Sequence, residues 1–404
     1  MSQSNAHAVI HTPRPDAAGT ARASDLRGPF GKRAIRVGRL FGIEIGLDWS
    51  WVFIFLLITF SLAQGFAQGE HGWSTQQSWL AGILASLLFF ASILLHEFGH
   101  SLTSQALGLP VRSITLFIFG GLARLSGEPK RPRDEFLIAA AGPLVSVVLG
   151  FLFLAAAALF PHDPPSVFGV ACGWLGTINL VLAGFNLVPG FPLDGGRLMR
   201  AVVWHLTGNY ERATYAASTT GSAFAFLMIG GGIFLALLGG ALFNGLWLVF
   251  IGWFLLTAAQ GSALQVTLQR ELGGIPLAAA VEPLRPLVGA RTPVGEVLES
   301  VVLGEGSRYF FVEDGGEVVG LVTLHQIRRV PVGERASTPV SAIMLERLDL
   351  TSIPKKASLW DAFQRMGEAG IAQIPVEEGG RLVGVLTRER LQAIMHNVRS
   401  LGGH

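Results

Sequence analysis

Cysteine is almost missing. The single Cys172 among 404 residues sits inside an apolar run, which excludes an internal disulfide and any zinc site built on thiolates. Charge is scarce too: Asp, Glu, Lys and Arg make up 14% of the chain against 50% hydrophobic residues, a balance too apolar for an ordinary soluble protein. The formal net charge is only +2, and its uneven placement bears on membrane topology rather than on a nucleic-acid partner. Residues 1–34 lack an apolar core and are rich in Ala, Arg, Ser and Pro, which excludes a secretory signal peptide there and reads as a disordered cytoplasmic tail. The Arg and Ser content faintly suggests an organellar transit peptide, but Asp16 and Asp25 count against it, so a bacterial inner membrane is the default expectation.

What the chain has in abundance is long apolar runs. Six are long enough to be candidate spans: Trp49 to Leu62, Trp79 to Leu102, Phe136 to Phe160, Phe168 to Val188, Tyr215 to Leu238 and Leu242 to Ala263. The first is short, with Trp49 and Trp51 placed as an interfacial belt. Seven Lys and Arg residues, from Arg14 to Arg39, precede it. Arg112, Arg124, Lys130, Arg131 and Arg133 lie between the second and third runs, and Arg197, Arg200 and Arg212 between the fourth and fifth. The connections around Gly69, Asp163 and Gly240 contain neither Lys nor Arg. By the positive-inside rule both termini face the cytoplasm, and an even number of spans agrees, since it places both on one side. The expected fold is a polytopic α-helical membrane protein of about six transmembrane helices with a soluble α/β appendix.

At the cytoplasmic end of the second run stands HEFGH, His96 to His100. Residues four apart share one face of a helix, so His96 and His100 can aim their imidazoles at one metal ion while Glu97 projects beside it, the arrangement of a zinc hydrolase. Ionisable groups at membrane depth cost about 2.5–3.5 kcal/mol each on insertion scales, and three within five positions demand a function. His96 lies about 25 Å along the helix from Trp79, in the inner leaflet.

The fourth run ends in FNLVPGFPLDGGRLMR, Phe185 to Arg200, and descends to the same side. Pro189, Pro192 and Gly195-Gly196 break the helix, and irregular backbone at that depth is tolerated only against protein or a water-filled cavity. Asp194 therefore falls level with His96 and His100. A His–His–carboxylate set leaves a fourth position open for water. The competing reading makes Asp194 the cap of a helix from Gly195 onward.

Together HEFGH and NLVPGFPLDGGR resemble the two signatures of the site-2 protease family of intramembrane zinc metalloproteases, and the likeness covers roughly residues 35–265. It implies one Zn²⁺ per chain held by His96, His100 and Asp194, Glu97 as general base and acid, and Asn186 holding substrate or its oxyanion. It also implies a membrane-spanning or membrane-anchored protein substrate, cut near the cytoplasmic leaflet. Ser101, Thr103, Asn179 and Asn186 are candidates for a water path, although Asn179 suits a helix–helix hydrogen bond equally well. Between the second and third runs, RSITLFIFGGLARLSG (Arg112 to Gly127) reads as a surface hairpin around Gly120-Gly121, or else as an amphipathic connector. In the resembled family such a hairpin pairs with the extended substrate. The alternation in Ala34 to Leu47 reads as a further strand of the same sheet.

From about Ile275 the composition turns soluble, and two β-rich repeats follow, Ser307 to Val330 and Ile371 to Met395, at an offset of about 64 residues. Each has a strand, an acidic-Gly turn, a second strand ending in Thr, and a helix; further helices are expected around Val294 to Val302 and Leu359 to Ala369. The pair resembles tandem CBS domains, 275–332 and 336–400, which implies a dimerising or nucleotide-sensing module. Thr323 and Thr387 are followed three residues later by Gln326 and Arg390 instead of the Asp that contacts ribose, which argues against adenine-nucleotide binding.

Two other functional classes are open to such a chain. A metal or ion transporter is expected to carry inverted repeats, and none is visible. A catalytically silent scaffold with a CBS dimer has no need of Glu97, because a structural zinc site uses no base.

Overall fold

The computed structural model describes residues 34–69, 72–118, 120–125, 127–160, 166–304 and 306–401. Apart from Ala34, the segment read as a cytoplasmic tail lies outside the described residues. The chain divides into two compact units, 1–263 and 264–404.

The first unit opens with a hairpin, β1 (Ile35–Leu40) and β2 (Ile43–Leu47), followed by α1 (Trp49–Gln68) and α2 (Thr75–Ala106). A second hairpin, β3 (Val111–Phe117) and β4 (Gly120–Leu125), precedes α3 (Pro132–Ala157), α4 (Val167–Asn186), α5 (Asp194–Thr207), α6 (Tyr210–Leu237) and the start of α7 (Leu242–Gly273). All of these helices except α5 are long and apolar enough to cross a membrane. Their ends carry local signals. Asp48 caps α1 by accepting from the Ser50 amide at 2.9 Å, Ser74 and Gln77 form a capping box on α2, and Pro132 opens α3.

Several helices outrun the apolar segments that announce them. The first is a full 20-residue helix to Gln68, since its polar C-terminal turns remain good helix formers. The last continues past Ala263 to Gly273, because Leu268 and Leu272 are buried in the core of the second unit. At the start of α1, Trp49 is exposed while Trp51 packs on α2, its ring centroid 5.2 Å from that of Phe90.

The two hairpins form one sheet in the order β1-β2-β3-β4, with β2 and β3 parallel and Ile45 opposite Ile114. The connection between β3 and β4 precedes Gly120, so Gly120-Gly121 opens β4 instead of making the turn. Ile43, Val111 and Ile114 close over Phe98 and fasten the sheet to one side of α2, leaving the neighbouring face of the helix for other contacts.

The second unit contains the duplication. Strands β6 (Tyr309–Asp314) and β7 (Glu317–Thr323) repeat as β10 (Gln373–Glu378) and β11 (Arg381–Thr387). Their turns match, with Gly315-Gly316 and Gly379-Gly380 all at positive φ, as two-residue hairpins require. The first sheet also contains β5 (Leu287–Gly289) and β8 (Leu345–Glu346), in the order β5-β6-β7-β8; the second adds β9 (Ile353–Pro354), in the order β11-β10-β9. The helices are α8 (Val294–Val297), prolonged by a π turn to Gly304, then α9 (Leu324–Arg328), α10 (Leu359–Ala369) and α11 (Arg388–Leu401). Phe311, Leu321 and Val385 join the two repeats in a shared apolar cluster.

Candidate metal centre and active-site cavity

His96 and His100 lie one turn apart near the end of α2, both buried. Asp194 comes from a different part of the chain. The Pro-Gly segment after α4 turns sharply, and α5 starts at Asp194 itself, so the residue is the first of its helix and its side chain makes no cap. The Asp194 Oδ2 lies 3.2 Å from His96 Nε2 and 3.1 Å from His100 Nε2, and the two Nε2 atoms are 3.2 Å apart. A carboxylate oxygen and two ring nitrogens thus converge on one point, 98 and 94 residues apart in sequence for the two His–Asp contacts.

The donor set fits a metal ion. Tetrahedral zinc, with bonds of about 2.0–2.1 Å, needs ligand atoms about 3.3–3.4 Å apart. The protonation pattern agrees. His100 Nδ1 lies 2.7 Å from the Ile138 carbonyl, which can only accept, so Nδ1 carries a hydrogen and the neutral ring presents its lone pair at Nε2. His96 Nδ1 meets the Ser146 hydroxyl at 2.9 Å. With Nδ1 protonated in both rings, the two Nε2 lone pairs face one another and an anionic oxygen, an arrangement that a cation between them stabilises.

Glu97 has no hydrogen-bond or ion-pair partner among the described residues. It lies beneath β4, where a Cβ on Gly121 would fall on its Cγ. Glu97, the three converging side chains and Asn186 all line one cavity of about 620 Å³, whose other walls are mostly apolar: Ile54, Phe89, Trp247, Phe254 and Leu255 among them. Ser101 reaches the cavity, and its hydroxyl is buried without a partner. Thr103 and Asn179 do not line it. Asn179 donates to the Leu175 carbonyl at 2.8 Å and to the Ser92 hydroxyl at 3.4 Å, which makes it the helix–helix link between α4 and α2.

Other residues around the centre are missed by motif reading. Gly99 and Gly142 let α2 and α3 approach: a Cβ on Gly99 would lie 2.8 Å from the Ala141 carbonyl oxygen, and one on Gly142 would fall on His100 Nε2. Arg197, one turn beyond Asp194, also lines the cavity. Farther along α5, Arg200 donates to the wholly buried Glu135 of α3. Its guanidinium lies over the rings of Phe191 and Tyr210, 4.9 and 4.7 Å from their centroids. This cluster ties the helix carrying Asp194 to the helix behind the histidines. The run of small residues at 139–142 was the available sign that α3 packs closely on something.

A multi-pass helical membrane protein with an HExxH centre sunk in an apolar cavity defines a class, the membrane-embedded metalloproteases, and comparison with known proteins agrees. Peptidase family M50 matches residues 84–171 and 166–229, and the CBS domain matches 340–397. A Synechocystis protein whose name calls it a zinc metalloprotease is 35% identical over 90% of this chain and 96% of its own. The similarly named Rip3 of Mycobacterium tuberculosis is 36% identical over 88% of this chain and 91% of its own. The solved site-2 protease from Methanocaldococcus jannaschii aligns with 29% identity over 57% of this chain and 95% of its own, at a TM-score of 0.40. The chain belongs to peptidase family M50, the site-2 proteases, and is a zinc metalloprotease with a CBS-containing C-terminal unit.

Proposed function

We propose that His96, His100 and Asp194 hold the zinc ion, that Glu97 is the general base and acid, and that the enzyme cuts membrane-spanning or membrane-anchored proteins near the cytoplasmic leaflet. The observation that carries this reading is the convergence of the two Nε2 atoms and Oδ2 beside an unpartnered carboxylate in an apolar cavity. When bound, zinc supplies Lewis acidity that polarises a carbonyl and acidifies water. Glu97 takes the proton of the attacking water and later delivers it to the leaving amine nitrogen. The Asn186 amide, on the same cavity wall, donates to the carbonyl oxygen as negative charge develops there. The edge of β4 holds the substrate extended, since a helical segment hides the amides and carbonyls that must be reached.

The Lys and Arg distribution supports cytoplasmic N- and C-termini, in a bacterial inner membrane. The 32 residues of α2 span about 48 Å against a hydrocarbon core of about 30 Å, so the helix has length to spare beyond HEFGH. In this reading residues 35–265 are the protease domain and 275–332 and 336–400 are two CBS domains that gate access and pair two chains. Thr323 supports a role without nucleotide: its amide and hydroxyl both donate to Gln326 at the position where ribose recognition needs an Asp. No feature favours the transporter or the silent scaffold.

The test is reconstitution in liposomes with two fluorogenic substrates of the same scissile sequence, one flanked by an apolar span and one soluble. Cleavage of the membrane-spanning substrate, mapped by mass spectrometry to its cytoplasmic half, is expected. Cleavage of the soluble peptide alone would contradict the proposal.

A further inference from the structure

We propose that Ser146 is a positioning residue for His96, part of a face of α3 that sets both metal-facing imidazoles. The inference rests on the reading of His96, His100 and Asp194 as zinc ligands. Ile138, Gly142 and Ser146 are spaced four apart, so they share one face of α3, and all three are buried. Each meets the histidine pair differently. The Ile138 carbonyl accepts from His100 Nδ1 at 2.7 Å, fixing that ring's tautomer. Ser146 Oγ lies 2.9 Å from His96 Nδ1, and His96 is its only hydrogen-bond partner among the described residues. Gly142 stands between them, where a Cβ would lie 2.7 Å from His96 Nε2, so its bare backbone closes the back of the site and limits how far either ring can retreat.

A hydroxyl can donate as well as accept, so Ser146 alone does not dictate the tautomer. The other side of the ring does. His96 Nε2 faces Asp194 Oδ2 at 3.2 Å and His100 Nε2 at 3.2 Å, and ligating a cation there requires a lone pair on Nε2. Nδ1 then carries the hydrogen and Ser146 accepts it, which holds the ring plane and raises the basicity of Nε2. Ser146 does not line the cavity, so it acts through His96 and not on substrate. Its place on α3, a helix outside both motifs, explains why neither signature includes it.

The test measures zinc affinity of the full-length protein in detergent by chelator competition, together with the visible absorption of the cobalt-substituted form and thermal unfolding. Ser146→Ala is expected to weaken zinc binding about 10- to 100-fold and to alter the cobalt spectrum, while the apo protein unfolds within a few degrees of wild type. Ser146→Thr, which restores the hydroxyl, is expected to recover most of the affinity. Should the extra methyl prevent folding, Ser146→Cys, a weaker acceptor of similar size, is expected to fall between wild type and Ser146→Ala. Wild-type affinity and an unchanged cobalt spectrum in Ser146→Ala would overturn the proposal. A wild-type protein that binds no zinc, or a His96→Ala, His100→Ala double variant that binds it normally, would instead overturn the ligand assignment on which it rests.

Discussion

The two imidazoles and the Asp194 carboxylate sit close enough together that removing any one should leave an incomplete site. Asp194→Ala is expected to abolish stoichiometric zinc while leaving the helices folded, because the side chain lies at the head of α5 and makes no cap there. Metal analysis and circular dichroism check this; a variant that keeps one zinc per chain would remove Asp194 from the ligand set. The convergence of these three side chains was legible because helical spacing puts His96 and His100 on one face and because the Pro-Gly segment brings Asp194 level with them. Ile138 was not legible, since it contributes a peptide oxygen that any residue possesses. Nor was Gly142, whose role is the absence of a side chain where two imidazoles approach.

The helices that carry these residues are locked together by close backbone contact and one buried ion pair. Gly196 packs against Gly190 and Phe191 so tightly that a Cβ would overlap their backbone. Gly196→Ala should therefore destabilise the fold by about 1–3 kcal/mol and weaken zinc binding, since α5 is pushed away as a unit. Thermal unfolding and chelator competition on the same sample test it; unaltered values for both would show that α5 has room to spare. Between α5 and α3, Arg200 neutralises a Glu135 that is completely buried, donating twice to one carboxylate oxygen while the other has no hydrogen-bond partner. Arg200→Ala strands that charge, at an expected cost of about 3–5 kcal/mol, whereas Glu135→Gln combined with Arg200→Met should recover part of it. Wild-type stability of Arg200→Ala would mean that the pair contributes nothing, and equal stability of the single and double variants would mean that the cost is not that of a stranded charge. Element order and the six spans follow from apolar runs and caps, and the competing reading of a helix from Gly195 onward foresees α5 at Asp194–Thr207, but the Glu135–Arg200 pair does not follow. The pairing joins residues 65 apart in sequence.

For the whole molecule, the duplication was readable from the matched acidic-Gly turns, while the unequal helices were not: α9 has 5 residues where α11 has 14. The sequence also gave no sign that the last apolar helix continues into the C-terminal unit, because Leu268 and Leu272 look like a polar-flanked end until their partners are known. If the tandem gates the protease, removing residues after about Gly274 should change the rate or selectivity of cleavage and leave zinc content unchanged. An identical cleavage profile would refute gating. ATP and AMP are expected to have little effect, with calorimetry on the intact protein giving no tight binding, since Gln326 and Arg390 stand where ribose recognition needs an acid; submicromolar binding would contradict this.

The central claim, that Glu97 works beside a zinc ion held inside the membrane domain, is tested most directly by Glu97→Gln in proteoliposomes. The amide preserves size but cannot take the proton of the attacking water. Zinc content and cleavage of a membrane-spanning substrate are measured on the same preparation. The account predicts one zinc per chain in both proteins and a loss of cleavage of about 100-fold or more in the variant. Cleavage near the wild-type rate, with zinc retained, would contradict it.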